Sequence, residues 1–286
     1  LPIFRLKHKK LILNSEKVGG CFMSVESQAV GIKKKYKNRN NKGKYIAESV
    51  AKNIFFMSAL VAVVSLLLII GFVFYKGLTP FISKGYSFTA FLTGVDWLPS
   101  SDKFGILPMI VASLIATVGS LIIGVPVGIL TAVFIAEIAP KKVAKLMSPA
   151  VELLAGIPSV LYGIFGLAFI VPAIQNIFNL PKGQSLLAVI IVLSIMMLPT
   201  IISVSETAIR AVPRAYKEGS LALGASKIET IFKVVLPAAK SGILAAVVLG
   251  IGRALGETMA VILVAGNSPM IPSSLMDSIR PLTTNI

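Results

Sequence analysis

Between Ile54 and Tyr75 the chain runs without a single Asp, Glu, Lys or Arg. A helix crossing a hydrocarbon core of ~30 Å needs about 20 mainly apolar residues, so this run is long enough to span one. Four further segments read the same way. They are about Ile106–Ala136, long enough to tilt or to continue past the bilayer; about Ala150–Ala173, with Glu152 at its edge; Ser185–Val204, kinked at Pro199; and about Gly242–Ala265, interrupted by Arg253 and Glu257. The composition agrees. Hydrophobic residues make up 55% of the 286 and charged residues 14%, with a mean hydropathy of +0.86, whereas a soluble domain carries about 25% charged residues. A single soluble domain would leave far too much apolar surface in water, and a disordered chain needs low hydrophobicity. The expected class is an all-α integral membrane protein.

The net charge of +16 is concentrated at one end, where residues 1–53 hold thirteen Lys and Arg against three Glu. The block stops where the first apolar run starts, which fits a cytoplasmic tail under the positive-inside rule and needs no nucleic acid as partner. Lys33, Lys34, Lys35, Lys37, Arg39, Lys42 and Lys44 suit a solvated tail near anionic lipid. The first Met is Met23 and Leu1–Phe22 matches no signal peptide, so translation is expected to begin at Met23. Cys21 cannot form an internal disulfide, and with His8 it makes no zinc site.

The loops set an orientation. Residues 76–104 are nearly neutral and are expected outside, whereas Glu137–Ser148, with Lys141, Lys142 and Lys145, is expected inside. The connection around Lys182 is outside, Glu206–Lys240 with six basic and three acidic residues is inside, and the segment after Gly266 is outside. Five crossings from a cytoplasmic N-terminus leave the last residue outside, and a sixth helix is expected beyond Ile286. The expected organisation is a tail over 1–53, a first transmembrane helix over 54–75, an extracytoplasmic loop over 76–104, and a membrane core over 105–286 containing a cytoplasmic loop over 206–240.

Two of the spans carry patterned faces. Ser113, Thr117, Ser120, Gly124, Gly128 and Thr131 share one side of the second helix; Gly156, Ser159, Gly163 and Gly166 do so on the third. Small residues in such stripes serve close helix packing or wall a polar path, and both readings stand for each helix. The 206–240 loop is organised on its own. Pro213 suits a helix start, Gly224 can end that helix in a left-handed conformation, and Ser226 with Glu229 forms a capping box for a second helix. Ile228, Ile231, Phe232 and Val235 then take the i, i+3, i+4, i+7 positions of an apolar face.

Glu218-Gly219-Ser220, three residues, Gly224, nine residues and Val234-Val235-Leu236-Pro237 resemble the EAA loop of ABC-type import permeases, roughly E-A-A-x3-G-x9-I-x-L-P, with departures at Gly219, Ser220 and Val234. Asp96-Trp97-Leu98-Pro99, the run Leu154–Gly163 and Gly252-Arg253-Ala254-Leu255-Gly256-Glu257-Thr258-Met259-Ala260-Val261 are similar to the phosphate-specific import permeases of the PstC type. The resemblance covers about Ser87 to Ile286. It implies an ABC importer permease fold of six helices, a companion PstA-type permease, two copies of an ATP-binding subunit and an extracytoplasmic phosphate-binding protein. It also implies that the coupling loop fits a groove of the ATPase, which assigns ATPase contact to Tyr216, Lys217, Glu218, Gly219, Ser220, Leu221, Gly224 and Ala225.

The chain lacks a G-x4-G-K-[ST] phosphate loop, a His/Cys metal cluster and a nucleophile triad, so neither enzyme nor cofactor chemistry is expected of it. For the substrate path the candidates are Arg253, Glu257, Ser113, Thr117 and Ser120. A charge at helix depth is costly and persists mainly where it pairs or functions. Arg253 and Glu257 are four apart and can meet on one helix face, so a self-neutralising pair is one reading. The other is oxyanion binding, in which Arg holds the ion with parallel hydrogen bonds and Glu accepts the proton that phosphate, unlike sulfate, retains near neutral pH. The same fold moving sulfate or molybdate, or a non-transporting membrane scaffold, are the alternatives.

Overall fold

A computed structural model describes residues 42–83 and 85–285, with side chains from Tyr45. The expectations placed on the basic tail before Lys42, on Met23 and on Cys21 and His8 lie outside the described residues. The chain divides into two units, 1–80 and 81–286.

In the first unit the helix α1 (Lys42–Ser83) is longer than the expected 54–75 at both ends, its last turns passing through Pro80 into the second unit. Between Ile54 and Tyr75 it is apolar all round, with Phe55, Leu68 and Tyr75 among its exposed side chains, as a helix that meets lipid should be.

The second unit opens with a short helix, α2 (Phe88–Thr93), capped by the Ser87 hydroxyl, and an antiparallel hairpin pairing Trp97 with Phe104 and Leu98 with Lys103. α3 (Leu107–Val133) continues through a π turn at Phe134–Ile138 and is followed by the amphipathic α4 (Lys141–Ala155). The next span is α5 (Ser159–Phe165), a π turn at Gly166–Ile170 and α6 (Val171–Phe178). The third span therefore starts at Ser159, not near Ala150, and Glu152 belongs to α4. Pro158 is the cause: inside a helix it would clash with the carbonyl four residues back, that of Leu154. That carbonyl instead accepts the Tyr162 hydroxyl at 2.8 Å.

α7 (Leu186–Arg210) is the central helix of the core and is the most buried of the spans. α3 runs parallel beside it. A side chain at Gly119, Gly124 or Gly128 would meet Ile190, Met197 or Ile201 at 2.6 to 2.7 Å, so these glycines permit the close approach. The Ser194 hydroxyl, which also bonds Ile190 O, reaches across to the Ser120 carbonyl at 3.1 Å. The coupling loop follows as α8 (Arg214–Ala222), α9 (Lys227–Thr230), a π turn at Ile231–Val235 and α10 (Leu236–Ala238). α11 (Lys240–Gly256) returns antiparallel along α7, with Gly242 on Ala208 and Gly250 on Ile201. α12 (Met259–Val264) is short and packs on α5, where Gly163 lies against the Ala260 backbone.

Among the described residues four helices are long and apolar enough to cross a membrane: 45–83, 107–138, 159–178 and 186–210. The pair 227–238 and 240–256, bent by 70°, would make a fifth. The expected fifth span, Gly242–Ala265, is thus corrected: its helix stops at Gly256. Gly252 and Gly256 are poor helix formers, and Glu257 leaves the helix with extended backbone at φ −76°, ψ 126°.

Candidate functional site

The break after Gly256 builds the site. The Glu257 side chain turns forward and accepts the Ala260 amide at 2.9 Å, capping α12, while its carbonyl accepts the Thr283 hydroxyl at 2.8 Å. Arg253, one turn earlier on α11, points to the Thr200 hydroxyl of α7 at 3.4 Å. The i,i+4 pairing of Arg253 with Glu257 does not form: the guanidinium turns to Thr200 and the carboxylate turns forward to the Ala260 amide. Among the described residues no carboxylate lies within 4.0 Å of Arg253.

A small, partly open crevice lies between the first turns of α3 and α7 and the broken end of α11. Its polar lining is Ser113, Thr117, Glu257 and Thr283, set among Ala116, Val189, Leu193 and Val261. Of the five residues expected on the path, the structure brings Ser113, Thr117 and Glu257 together here. Ser120 is fully buried in the α3–α7 seam, where its hydroxyl bonds the Thr117 carbonyl at 2.8 Å, and it does not line the crevice. The α3 stripe therefore divides: Ser113 and Thr117 face the crevice, while Ser120, Gly124 and Gly128 pack. Arg253 also lies off the crevice wall. Its partner Thr200 sits seven residues beyond Leu193 on α7, roughly 10 Å deeper along the helix.

The residues missed from sequence are Pro281 and Thr283, which come from the segment after Gly266. That segment is tied to the start of α7 by Leu186 N→Asp277 O (2.9 Å) and Leu187 N→Leu275 O (2.8 Å), and to the end of α12 by Ile279 N→Ala265 O (2.8 Å). It reaches the crevice through Leu282 N→Ser113 Oγ at 2.8 Å. Asp277 accepts from the Ser273 hydroxyl and the Ser273 and Ser274 amides, which hold its carboxyl below the usual carboxylate range. Among the described residues no group of three His, Cys, Asp or Glu could hold a metal ion.

At the other end of α7 the coupling loop has the features expected of it. Pro213 precedes α8, Gly224 has φ +87°, and Ser226 and Glu229 form the reciprocal cap. Bonds from the Ser226 amide and hydroxyl, and then from Lys233, hold the Glu229 carboxyl below its ordinary range. The apolar face is corrected. Ile231 and Val235 are buried with Ala239, whereas Ile228 and Phe232 are exposed, because the face that packs on the core runs through Thr230, Ile231 and Val235. Of the residues assigned to ATPase contact, Tyr216, Glu218, Gly219, Leu221 and Gly224 are exposed, while Ala225 is half-buried. Lys217 pairs inward with Glu137, and Ser220 shares a hydrogen bond with Thr230 at 3.0 Å.

Residues 124–283 match the family described as binding-protein-dependent transport system inner membrane component. The chain is 45% identical over 230 residues to the "Probable ABC transporter permease protein YqgH" of Bacillus subtilis, covering 80% of this chain and 74% of that protein. It is 38% identical over 214 residues to the phosphate transport system permease protein PstC of Mesorhizobium japonicum, covering 68% of this chain; it spans 64% of that relative's length. Among solved structures, inward facing conformations of the MetNI methionine ABC transporter align with 51% of this chain and 65% of that chain at 26% identity, with a TM-score of 0.40. This chain belongs to the family of binding-protein-dependent transport system inner membrane components, as a multi-pass permease of the ABC transporter type.

Proposed function

We propose that this chain is the membrane-spanning permease subunit of an ATP-driven phosphate importer. Phosphate would enter between Ser113, Thr117, Glu257 and Thr283 and pass on to Arg253. The observation that carries the reading is Arg253 itself, a guanidinium within the core, half-buried, whose one hydrogen bond among the described residues is a long contact to a hydroxyl. A cation at that depth is costly, and its unused donors suit a tetrahedral oxyanion better than a packing role. The name of the PstC relative supports phosphate as that ion.

Energy would come from a separate ATPase, in two copies, docked on the exposed face of the 213–237 loop, where Tyr216 and Leu223 stand out from the chain. A companion PstA-type permease would complete the path, and an extracytoplasmic phosphate-binding protein would deliver the ion. The N-terminus and the 206–240 loop would lie in the cytoplasm, following the positive charge of the loops. The reading keeps the permease core at 105–286 as a proposal, while the helix Lys42–Ser83 takes in the end of the 1–53 tail and the start of the 76–104 loop.

The test is phosphate uptake by vesicles containing all the subunits, with sulfate as competitor. R253Q should abolish uptake while the complex still assembles. Full-rate uptake by an assembled R253Q complex would remove Arg253 from the path, and sulfate displacing phosphate equally would favour a general oxyanion permease.

A further inference from the structure

The coupling loop is bonded to the two helices that line the crevice, at the ends farthest from it. α3 carries Ser113 and Thr117 near its start and Glu137 in the π turn that closes it. α7 carries Val189 and Leu193 near its start and Glu206 and Arg210 in its last turns. Lys217 of α8 pairs with Glu137, their side chains only 24% and 12% exposed. Glu206 Oε1 accepts from Arg210 Nε at 2.9 Å and from the Ser148 hydroxyl of α4 at 2.8 Å.

The second arm of Arg210 donates to the Ile135 carbonyl at 3.2 Å. In a regular helix that carbonyl would accept the Ala139 amide; in the π turn Ala139 N bonds Phe134 O instead, at 2.7 Å. The irregular turn therefore frees the acceptor that α7 uses, and the same turn presents Glu137 to α8. Two sets of charge-assisted bonds meet at this one turn, Lys217–Glu137 from α8 and Arg210–Ile135 from α7, so the π turn joins the coupling helix, the end of α3 and the end of α7. Glu137 and Glu206 are largely withdrawn from solvent, so a broken bond there leaves a carboxylate poorly hydrated.

Building on the docking role proposed above, we infer that Lys217 and Glu137 are positioning residues. They hold α8 to the end of α3, so that a displacement imposed on α8 by the ATPase is carried into both helices lining the crevice. Lys217 then acts inside the permease and does not itself touch the ATPase.

The experiment uses the whole importer in vesicles and reads two quantities: phosphate moved per ATP hydrolysed, and ATPase subunit retained on the purified complex. K217E and E137K should each retain the ATPase while the transport ratio falls about fivefold or more, the low end of a coupling between sites. The double variant with charges exchanged should restore the ratio to within about twofold, as expected of two groups acting only on each other. Should the reversed charges prevent assembly, K217M and E137Q make the same test without repulsion and should also lower the ratio. A normal ratio in the single variants would overturn the inference. So would loss of ATPase retention in the Lys217 variants without rescue by the exchange, since that would seat Lys217 on the ATPase. The docking role is tested separately: if Y216A and L223D leave ATPase retention intact, the loop is not the docking site, whatever the Lys217 variants do.

Discussion

Glu257 holds two positions in the chemistry at once, and its two oxygen-bearing groups separate them. Its carboxylate caps α12 through the Ala260 amide and also lines the crevice, while its carbonyl is held by Thr283. Gln keeps an acceptor oxygen at the cap and removes the carboxylate; Ala removes both. E257A should therefore lose about 1 kcal/mol of stability, the usual worth of a helix cap, and E257Q should lose little of it. E257Q should still relax discrimination against sulfate, because an amide no longer repels a fully ionised oxyanion. Thermal unfolding of the purified complex reads the first effect and competition uptake the second; unchanged selectivity in E257Q would leave the residue as a cap alone. The types of the site residues were legible in the sequence, since an Arg and a Glu in an apolar helix have few idle explanations. Their geometry was not. The i,i+4 rule presumes one continuous helix, and the chain turns out of it at Glu257, where the carboxylate takes the Ala260 amide and the carbonyl meets Thr283, 26 residues away.

The coupling loop was the most legible element because its signals are local. Pro213, Gly224 and the Ser226–Glu229 box each fix the backbone within four residues of themselves, and no distant partner has to agree. The π turn at Ile231–Val235 leaves no such mark in the sequence, and neither does the placing of Ile228 and Phe232 on the exposed face, which depends on what packs against the loop. Gly224 tests what the turn does. Its φ of +87° is a region that side chains rarely adopt, yet nothing lies within 4 Å of where a side chain would start. A substitution there costs backbone strain of about 1–2 kcal/mol and creates no clash. G224V should therefore distort the link between α8 and α9 and lower phosphate moved per ATP, whereas G224N, whose side chain tolerates the left-handed region, should stay near the parent ratio. Equal ratios for the two variants would show that the turn's conformation is not what coupling depends on.

At the scale of the molecule, the crevice and the coupling loop occupy opposite ends of the same helices. α7 has 25 residues, about 37 Å of helix, more than the ~30 Å hydrocarbon core. Its first turns line the crevice and bond the 266–285 segment, and its last turns bond α4 and the end of α3. The two ends must then face opposite sides of the membrane. The orientation proposed above rests on charge: 206–240 carries an excess of basic residues and the segment after Gly266 is nearly neutral. Thr283 could not be placed from sequence for the same reason, since its closeness to Ser113 depends on the fold of everything between them. Two exposed positions report the orientation directly, Leu223 on the coupling loop at 91% exposure and Met270 on the far segment at 70%. With Cys21 replaced by Ser, M270C should react with a membrane-impermeant maleimide in intact cells. L223C should react only after the membrane is opened, and docked ATPase should then protect it. Labelling of both positions in intact cells would break the assignment of the two helix ends to opposite faces. The reverse pattern, L223C reactive and M270C not, would keep the fold but invert the protein in the membrane and place the crevice on the side where ATP is found.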